Sequence, residues 1–298
     1  MTPEDPNTWI TALIRDLCRG PENTLQNATH DPAWDEPLVG ISRGDDPLYD
    51  AYKQVVGPFH WTPLEIFSAT YPDLSVRADE LSVISWILPQ TPATKADNRA
   101  ENVYPAERWA RSRIFGEAFN VWLRGQVVAA LTEYGCPAVA PMLAPQWREI
   151  ASATYGLAST WSERHAAYAS GLGTFGLCDG LITPRGKAMR TGSVVARVRL
   201  EPTPRPYSDH HAYCLFYSEH SCGACIARCP VGAISAAGHD KTKCQRHVAK
   251  SERYVKTHYG FDGYGCGLCQ TGVPCESGIP LSQRAVHPPG DQSAGDSV

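Results

Sequence analysis

The stretch from Cys214 to Cys275 reads Cys214-x7-Cys222-x2-Cys225-x3-Cys229-Pro230, followed by Cys244-x21-Cys266-x2-Cys269-x5-Cys275. It holds eight of the eleven cysteines of this 298-residue chain. The eight form two sets of four, and each set contains a pair of cysteines separated by two residues. Sets of four thiolates are typical ligands of protein metal centres. The stretch therefore predicts a metal-binding region.

The pair Cys229-Pro230 indicates which metal centre the region holds. One [4Fe–4S] cluster takes four thiolates, and in bacterial ferredoxins with two clusters the cysteine before the proline binds the other cluster. This arrangement predicts two ligand sets with crossed membership. The first is Cys214, Cys222, Cys225 and Cys275, and the second is Cys229, Cys244, Cys266 and Cys269.

Two departures from the compact ferredoxin pattern are interpreted as loop insertions. The compact spacing would place the first cysteine at position 219, which is Glu219, so Cys214 supplies that ligand instead. In the second half the last gap has five residues, and Pro274 precedes Cys275. Zinc also takes four-cysteine sets, and cysteines in secreted chains form disulfides, so both alternatives stay open at this level.

Composition limits the remaining possibilities. A hydrophobic content of 43% supports one large or two medium domains with real cores. The net charge of −4 provides no overall basic field for nucleic acid, although a local patch, and with it tRNA, stays possible. The N-terminus resembles no export signal, and no stretch approaches eighteen apolar residues. We expect a cytoplasmic protein with no membrane partner.

Periodicity and turn residues predict a mixed α/β (α+β) fold. Residues 20–62 are predicted to be irregular but packed. The predicted helices cover residues 8–19, 105–134, 162–169, 230–236 and 243–258. The predicted strands cover residues 81–88, 136–142 and 194–200. Asn7 and Thr8 are the expected cap of the first helix, and Ser162 that of the third.

Pro202, Pro204 and Pro206 predict a stiff connection between two domains. We expect a first domain over residues 1–205, a cysteine-rich domain over residues 206–284 and a disordered tail over residues 285–298. Upstream of this connection, Gly171, Gly173, Gly176 and Gly180 form either a ligand loop or a plain cluster of turns. The loop lacks the patterns of dinucleotide and P-loop sites.

Several other residues have two interpretations each. Cys18 is expected to be a buried structural thiol, and Cys178 either lies near a cofactor or is an ordinary buried thiol. Arg185, Lys187 and Arg190 either bind an anion together or lie in a solvated loop. His165 is interpreted as a packing residue. The three histidines near Cys214 are expected to modulate a cluster at most, and they are His210, His211 and His220.

The segment from Glu163 to Gly176, the Gly192-Ser193 pair and the late double cysteine set together resemble the epoxyqueuosine reductases and the corrinoid-dependent reductive dehalogenases. The resemblance spans roughly residues 80–280. It implies a nitroreductase-like first domain that can hold cobalamin and a ferredoxin-like domain with two [4Fe–4S] clusters. The residues that the resemblance places at the corrinoid are Gly171, Gly173, Thr174, Phe175, Gly176, Gly192 and Ser193.

One motif of that family is altered here. Epoxyqueuosine reductases carry a Tyr-Ala-Arg-Gly-Arg-Asp-Tyr motif whose aspartate is thought to supply a proton. The corresponding stretch runs from Trp109 to Phe115 and places Ile114 at the acid position. Because isoleucine transfers no proton, the catalytic acid is unknown. Glu117, one helical turn further on, is the candidate substitute, and a solvated glutamate is the alternative interpretation.

These patterns lead to two hypotheses of function. In the first, a cytoplasmic iron–sulfur oxidoreductase relays single electrons through two clusters to a small molecule or corrinoid in the first domain. In the second, the chain reduces the cofactor of a partner and performs no substrate chemistry itself. Both hypotheses need an electron donor, which we expect to be a ferredoxin, a flavodoxin or a reductase.

Overall fold

The computed structural model describes residues 5–152 and 156–281. Ten α-helices lie in these residues, and half of them begin at a proline or after a capping side chain. They are α1 (Pro6–Cys18), α2 (Pro47–Val55), α3 (Pro63–Thr70), α4 (Pro92–Ala100), α5 (Glu107–Arg111), α6 (Glu117–Glu133), α7 (Glu163–Ala169), α8 (Leu215–Ser218), α9 (Ala224–Ala227) and α10 (Lys241–Tyr259).

The strands of the described residues form one larger sheet and three short hairpins. They are β1 (Leu38–Arg43), β2 (Ser82–Pro89), β3 (Ala138–Val139), β4 (Glu149–Ser152), β5 (Gly156–Ser159), β6 (Thr174–Phe175), β7 (Leu181–Ile182), β8 (Met189–Ala196), β9 (Ile234–Ser235) and β10 (Gly238–His239). The larger sheet has the order β1-β2-β8-β3, and all its neighbours are antiparallel.

Strand β2 is the centre of the fold because all eight of its residues are buried. Its side chains alternate between two hydrophobic cores, as the pleat of a strand requires. Ile84 and Trp86 pack into one core with α1 and α6. Val83 and Ile87 pack into the other with α2, α3 and α7. The sheet is therefore covered by helices on both faces, which confirms the predicted mixed α/β class.

Gly192 of β8 shows how closely the sheet is packed. It lies opposite Trp86 in β2, and a Cβ atom at this position would lie 2.4 Å from the indole ring. The same indole donates a hydrogen bond to Asn120 Oδ1 of α6 at 2.9 Å. Asn120 in turn donates to the carbonyl of Thr191 at 3.0 Å. The glycine thus makes room for a tryptophan that joins the sheet to a helix.

Two predictions in the first third of the chain are wrong. The cap of α1 is Asp5, whose carboxylate accepts the N–H groups of Asn7 and Thr8, because Pro6 moves the helix start upstream of the predicted residues 8–19. Residues 20–62 are packed as expected but not irregular, since they contain β1 and α2. This segment forms regular structure because it makes tertiary contacts to β2. The scattered aromatic residues in its sequence did not predict those contacts.

The helix predicted over residues 105–134 is interrupted. A π-helical segment, Ser112–Gly116, separates α5 from α6. At its end the Gly116 carbonyl accepts the Trp34 indole N–H at 2.9 Å, and a Cβ at Gly116 would lie 2.7 Å from that ring. The hydrophobic period of a helix cannot predict this wider π-helical turn, because the turn is stabilised by Trp34, a side chain from a distant part of the sequence.

Three further predicted elements have different bounds. The strand predicted over 136–142 is only Ala138–Val139, because Pro141 begins a short 3₁₀ turn. The strand predicted over 194–200 is β8, which begins earlier and ends at Ala196. The helix predicted over 230–236 is wrong: the chain turns at Gly232, with φ of +59°, and forms the hairpin β9–β10. The prediction over 243–258 is confirmed by α10.

The predicted boundary near residue 205 stays a prediction. Leu177 and Ile182 from before this boundary pack into one hydrophobic cluster with Cys214, Cys225 and Cys275. The predicted tail over residues 285–298 lies outside the described residues. Among the described helices, none combines the length and the apolar composition that crossing a membrane requires.

The packing of Gly192 generates a prediction with a built-in control. We expect Gly192→Ala to destabilise the protein by about 1–3 kcal/mol, because the added methyl group overpacks the core against Trp86. Gly125→Ala in α6 meets nothing within 4 Å and is expected to stabilise the helix by about 1 kcal/mol. Anaerobic urea unfolding of both variants measures the effect. Equal stability of the two variants would contradict the packing argument.

Candidate metal centre

The first predicted set of cysteines lines a cavity. Cys214, Cys222, Cys225 and Cys275 all border one small cavity of about 20 Å³, together with apolar side chains that include Leu177. Three of these thiols are buried, and Cys222 is half-buried. Cys214 precedes α8 and Cys225 lies in the single turn of α9. The structure thus brings together four cysteines that lie up to 61 residues apart in the sequence.

Cys275 reaches this cavity because its chain segment pairs with the residues just before β8. Its carbonyl accepts the backbone N–H of Lys187 at 2.8 Å, and the Glu276 carbonyl accepts that of Ala188 at 3.3 Å. The Glu276 carboxylate forms an ion pair of 2.5 Å with Arg99 in α4. The last cysteine of the set is therefore held by the end of the main sheet and by a helix of the first half.

The second set also comes together, around the start of α10. Cys244 lies in the first turn of this helix, and the Cys229 Sγ accepts the Ala233 N–H at 3.1 Å. Burial raises the pKa of Cys266 to about 11, and the nearby Cys244 and Cys229 act in the same direction. Their mutual electrostatic effect shows that these thiols are neighbours. The Asn98 amide holds the Cys266 carbonyl at 3.2 Å.

Gly267 and Trp109 shape the loop between Cys266 and Cys269. Gly267 has φ of +67°, and a Cβ there would lie 2.0 Å from the Trp109 indole. Only glycine combines this left-handed conformation with such a close approach. Trp109 belongs to α5, so the altered family motif packs directly against the second cysteine pair.

Arg228 connects the two sets. It lies between Cys225 and Cys229, and its guanidinium donates to the carbonyls of Leu268 and Thr271 at 3.3 and 3.0 Å. The same group donates to the Asn98 carbonyl of α4 at 3.2 Å. One side chain from the first cysteine loop thus fixes the second loop and anchors both to the first half of the chain.

Cys178 and Lys187 lie between the sets. The Cys178 thiol is in hydrogen-bond contact with Cys225 of the first set and Cys269 of the second, and these contacts lower its pKa. Lys187 is 2% exposed. Burial works to lower the pKa of its ammonium group, but the surrounding cysteine sulfurs, with Cys178 and Cys275 foremost, raise it overall. A buried positive charge therefore faces sulfur atoms from both sets.

The kind of metal centre that the donor sets hold stays a prediction. A zinc ion needs its four sulfurs about 2.3 Å from one point. Within residues 5–152 and 156–281, no three His, Cys, Asp or Glu side chains are drawn together to hold a single ion in this way. The buried ammonium group of Lys187, which also lines the cavity of the first set, suits a negatively charged group there. None of the eleven cysteines is in a disulfide.

The glycines of the expected corrinoid loop have partners within the protein. A Cβ at Gly171 would lie 2.7 Å from the Pro204 carbonyl oxygen, and one at Gly173 would lie 2.2 Å from that of Ile182. Gly176 packs more loosely on the Ile182 side chain, and its N–H donates to Gly180 at 2.8 Å. Close packing of the chain on itself thus accounts for the glycines, and corrinoid contact at them stays a prediction.

Thr174 and Phe175 also make internal contacts. The Thr174 hydroxyl is buried and accepts the Tyr213 N–H at 2.9 Å. The Phe175 ring packs against His165 with centroids 5.0 Å apart. His165 is the packing residue that the sequence predicted: burial lowers its pKa to about 3, and its Nδ1 bonds the Ser162 hydroxyl at 2.8 Å. Ser162 therefore precedes α7 as expected, but its side chain binds histidine and caps no backbone group.

Ser193 and Glu117 belong to one network of buried charges. The Ser193 hydroxyl donates to the Glu163 carboxylate, which also pairs with Arg124 at 3.1 Å. Arg124 lies 3.3 Å from one oxygen of Glu117, and Arg190 lies 3.0 Å from the other. Burial raises the pKa of Glu163, while Arg124 and Ser193 oppose this shift. Because both Glu117 oxygens are engaged, the network gives this residue a structural role, and its role as an acid stays a prediction.

The three basic residues of the predicted anion group do not act together. Arg185 pairs with Asp35 at 2.6 Å, Lys187 points among the thiols and Arg190 pairs with Glu117. Ile114 lies in the π-helical segment and packs near Gly263, in the loop that leads to Cys266. The altered motif therefore contacts the cysteine region itself.

Other predicted residues lie near the first set or in the core. His211 lies on the Tyr217 ring, with centroids 3.9 Å apart, and its Nδ1 bonds the Phe175 carbonyl. Its neighbour His210 packs against it with centroids 4.1 Å apart, while His220 has φ of +54°. Cys18 is buried in the core as expected, and burial raises its pKa to about 12.

Sequence reasoning missed the residues that clamp the two halves together. They are Asn98, Arg99, Arg228 and Glu276. The sequence did contain a signal for two of them: Arg228 lies between two cysteines, and Glu276 directly follows one. A charged side chain beside a buried ligand needs a partner, so both residues could have been predicted to form polar contacts.

The fold and the site define a mixed α/β protein with two four-cysteine sets joined to its sheet. No family model matches the chain. A segment of 124 residues is 29% identical to an epoxyqueuosine reductase of Bacillus anthracis, and it spans 40% of this chain and 30% of that protein. The chain is thus related to epoxyqueuosine reductase, one of the two groups that its motifs resemble.

Solved structures of both groups are similar in fold. An epoxyqueuosine reductase with an epoxyqueuosine-modified tRNA stem loop is 14% identical, covers 95% of this chain and 67% of its own, and has a TM-score of 0.49. A catabolic reductive dehalogenase with 3-bromo-4-hydroxybenzoic acid is 16% identical, covers 91% of this chain and 37% of its own, and has a TM-score of 0.49. The sequence match to an epoxyqueuosine reductase confirms the resemblance to that group which the motifs predicted.

Proposed function

We propose that the chain is an iron–sulfur oxidoreductase whose eight cysteines hold two [4Fe–4S] clusters and relay single electrons to a substrate or corrinoid in the first domain. The observation that carries this proposal is the cavity bordered by Cys214, Cys222, Cys225 and Cys275. Spacing alone assigned these four to one cluster, and they surround one space. Each bound cluster would supply a centre that gains and loses one electron at a time.

The residues of the chain tune such a centre in identifiable ways. The Ala233 N–H donates to the Cys229 sulfur, and hydrogen bonds to ligand sulfur raise a cluster's reduction potential by favouring its more negative state. The Lys187 ammonium acts in the same direction for both sets, because it faces thiols of each. The apolar side chains of Leu177 and Ile182 exclude water from the first set.

The two sets differ in burial. All four cysteines of the second set are half-buried, whereas three of the first set are buried. We propose that electrons enter at the more exposed second set. Because free thiols in this number persist in reducing compartments, we place the protein in the cytoplasm.

A second candidate function is electron transfer to a partner without substrate chemistry. Ile114 at the family's acid position and the close internal packing of Gly171 and Gly173 favour it. Adding cobalamin to the cluster-loaded protein separates the two candidates. A shifted corrinoid spectrum after gel filtration supports the oxidoreductase, and a corrinoid that elutes free leaves direct reduction of a substrate at a cluster or electron transfer to a partner.

The cluster assignment is tested by paired cysteine variants. Protein purified without oxygen is expected to be brown and to hold about eight irons per chain. Cys225→Ser is expected to lose about half of this iron, because one corner of the first cluster is removed. Cys136→Ser, a thiol outside both sets, should keep all of it. Iron analysis and electron paramagnetic resonance give the readout. Zinc in place of iron, or equal iron in the two variants, would refute the proposal.

The role of Lys187 is tested with one variant that removes its charge and one that keeps it. Lys187→Met is expected to lower the midpoint potential of the clusters by several tens of millivolts, because the reduced state loses a neighbouring cation. Lys187→Arg keeps the charge and should stay close to the natural protein. A redox titration followed by electron paramagnetic resonance measures this, at matched iron content. An unchanged or higher potential in Lys187→Met would contradict the electrostatic role.

A further inference from the structure

Helix α10 carries a charge opposite to that of the whole chain. Its nineteen residues include six lysines and arginines and the single acid Glu252, whereas the chain has a net charge of −4. The buried side of the helix is formed by His247, Ser251 and Val255, at the four-residue spacing that marks one face. The basic residues are therefore concentrated toward solvent.

Three of these residues form what we call the basic face: Arg246, Lys250 and Arg253. Their spacing of four and three residues places them on one side of the helix, and all three are exposed. In residues 5–152 and 156–281 their side chains have no ion pair and no hydrogen bond. Like charges at this spacing destabilise a helix by about 0.2–0.5 kcal/mol per pair. The fold thus gains nothing from the basic face.

The basic face lies on the same helix as a predicted cluster ligand. Cys244 is in the first turn of α10 and is half-buried. At the flanks, Lys243 donates to the Gly232 carbonyl at 3.2 Å and adds to the positive charge, whereas Asp262 balances the charge of Lys256 at 2.8 Å. Cys244 lies on the buried side of the helix, at the spacing of His247, Ser251 and Val255, so a protein docked on the basic face would be separated from this ligand by the width of α10, about 10 Å.

We propose that the basic face is the docking surface for an acidic electron-donor protein, such as a reduced [2Fe–2S] ferredoxin. This inference rests on the proposed function. In the encounter one electron leaves the donor's reduced centre and one enters the second cluster, with no proton or bond exchanged. Opposite charges steer such encounters and raise association rates by about 10- to 1000-fold at low salt.

The surroundings favour a protein over RNA. Single-stranded RNA is bound by basic side chains with aromatic rings that are free to stack on bases. The ring of Tyr254 beside the basic face is already stacked between Tyr104 and His258, at 4.4 and 4.0 Å between centroids. The basic face offers charge without a free aromatic platform, which suits an acidic protein surface.

The experiment reverses the charges of Arg246, Lys250 and Arg253 and measures how fast a reduced ferredoxin reduces the clusters. Arg246→Glu/Lys250→Glu/Arg253→Glu is compared with the natural chain and with Arg15→Glu/Arg19→Glu/Arg148→Glu, a control with the same change in net charge on other exposed arginines. Anaerobic stopped-flow records cluster bleaching by a reduced, acidic plant-type [2Fe–2S] ferredoxin. Measurements at about 0.05 and 0.5 M salt vary the screening.

For the natural chain and the control, we expect a rate that falls about tenfold or more with salt. For the α10 variant, we expect a rate about tenfold lower at low salt and nearly independent of salt. Reduction by dithionite and the iron content should be equal in all three proteins. Equal ferredoxin rates in the α10 variant and the control would overturn the proposal.

Iron content and RNA affinity distinguish a failure of the proposed function from a nucleic-acid role of the basic face. If the natural chain holds no iron, the proposed function itself fails, and the docking inference falls with it. If the ferredoxin rates are equal but the α10 variant loses affinity for an RNA stem loop in fluorescence anisotropy, the basic face binds nucleic acid and the docking inference is wrong. Loss of the ferredoxin rate with unchanged RNA binding supports it.

Discussion

The buried ammonium group of Lys187 is the constraint around which the two halves of the molecule are arranged. A charge in the interior is tolerated only beside a counter-charge, and the groups that raise the pKa of Lys187 are cysteines: Cys178, Cys275, Cys269 and Cys225. Cys178 is the member of this group whose pKa is lowered, so it is the sulfur that balances the ammonium charge where the two sets meet. Metal ligation keeps thiols deprotonated, so this single lysine links the backbone of the sheet to the chemistry of the cysteine region.

The sheet and the cysteine region share a continuous piece of chain. Lys187 and Ala188 lead into β8, pair with Cys275 and Glu276, and continue beneath Trp86 in the middle of the sheet. Arg228 and Asn98 add a second connection between α4 and both cysteine loops. A change in the core of the first half would therefore shift the thiols, because these contacts are short and mostly buried.

Local sequence patterns predicted the structural features that depend on the spacing of residues. The other features depend on contacts between residues that are far apart in the sequence, and these were not predicted. Spacing grouped the four cysteines that border the cavity, and periodicity identified β2, α7 and α10. Neither spacing nor periodicity could predict that Lys187 lies among thiols up to 88 residues away in the sequence. They also could not predict that its surroundings differ from those of Arg185 and Arg190. The π-helical segment at Ile114 and the turn at Gly232 depend on Trp34 and on the Cys229 sulfur, and neither leaves a local signature.

The crossed membership of the cysteine sets has a consequence for biosynthesis. The second set gains its last thiol at Cys269 and the first set only at Cys275, after that residue has reached the edge of β8. A nascent chain that has not yet left the ribosome through these positions contains neither complete ligand set. Under the proposed assignment, neither cluster can be completed before Cys269 has been translated, and the first cluster also needs Cys275.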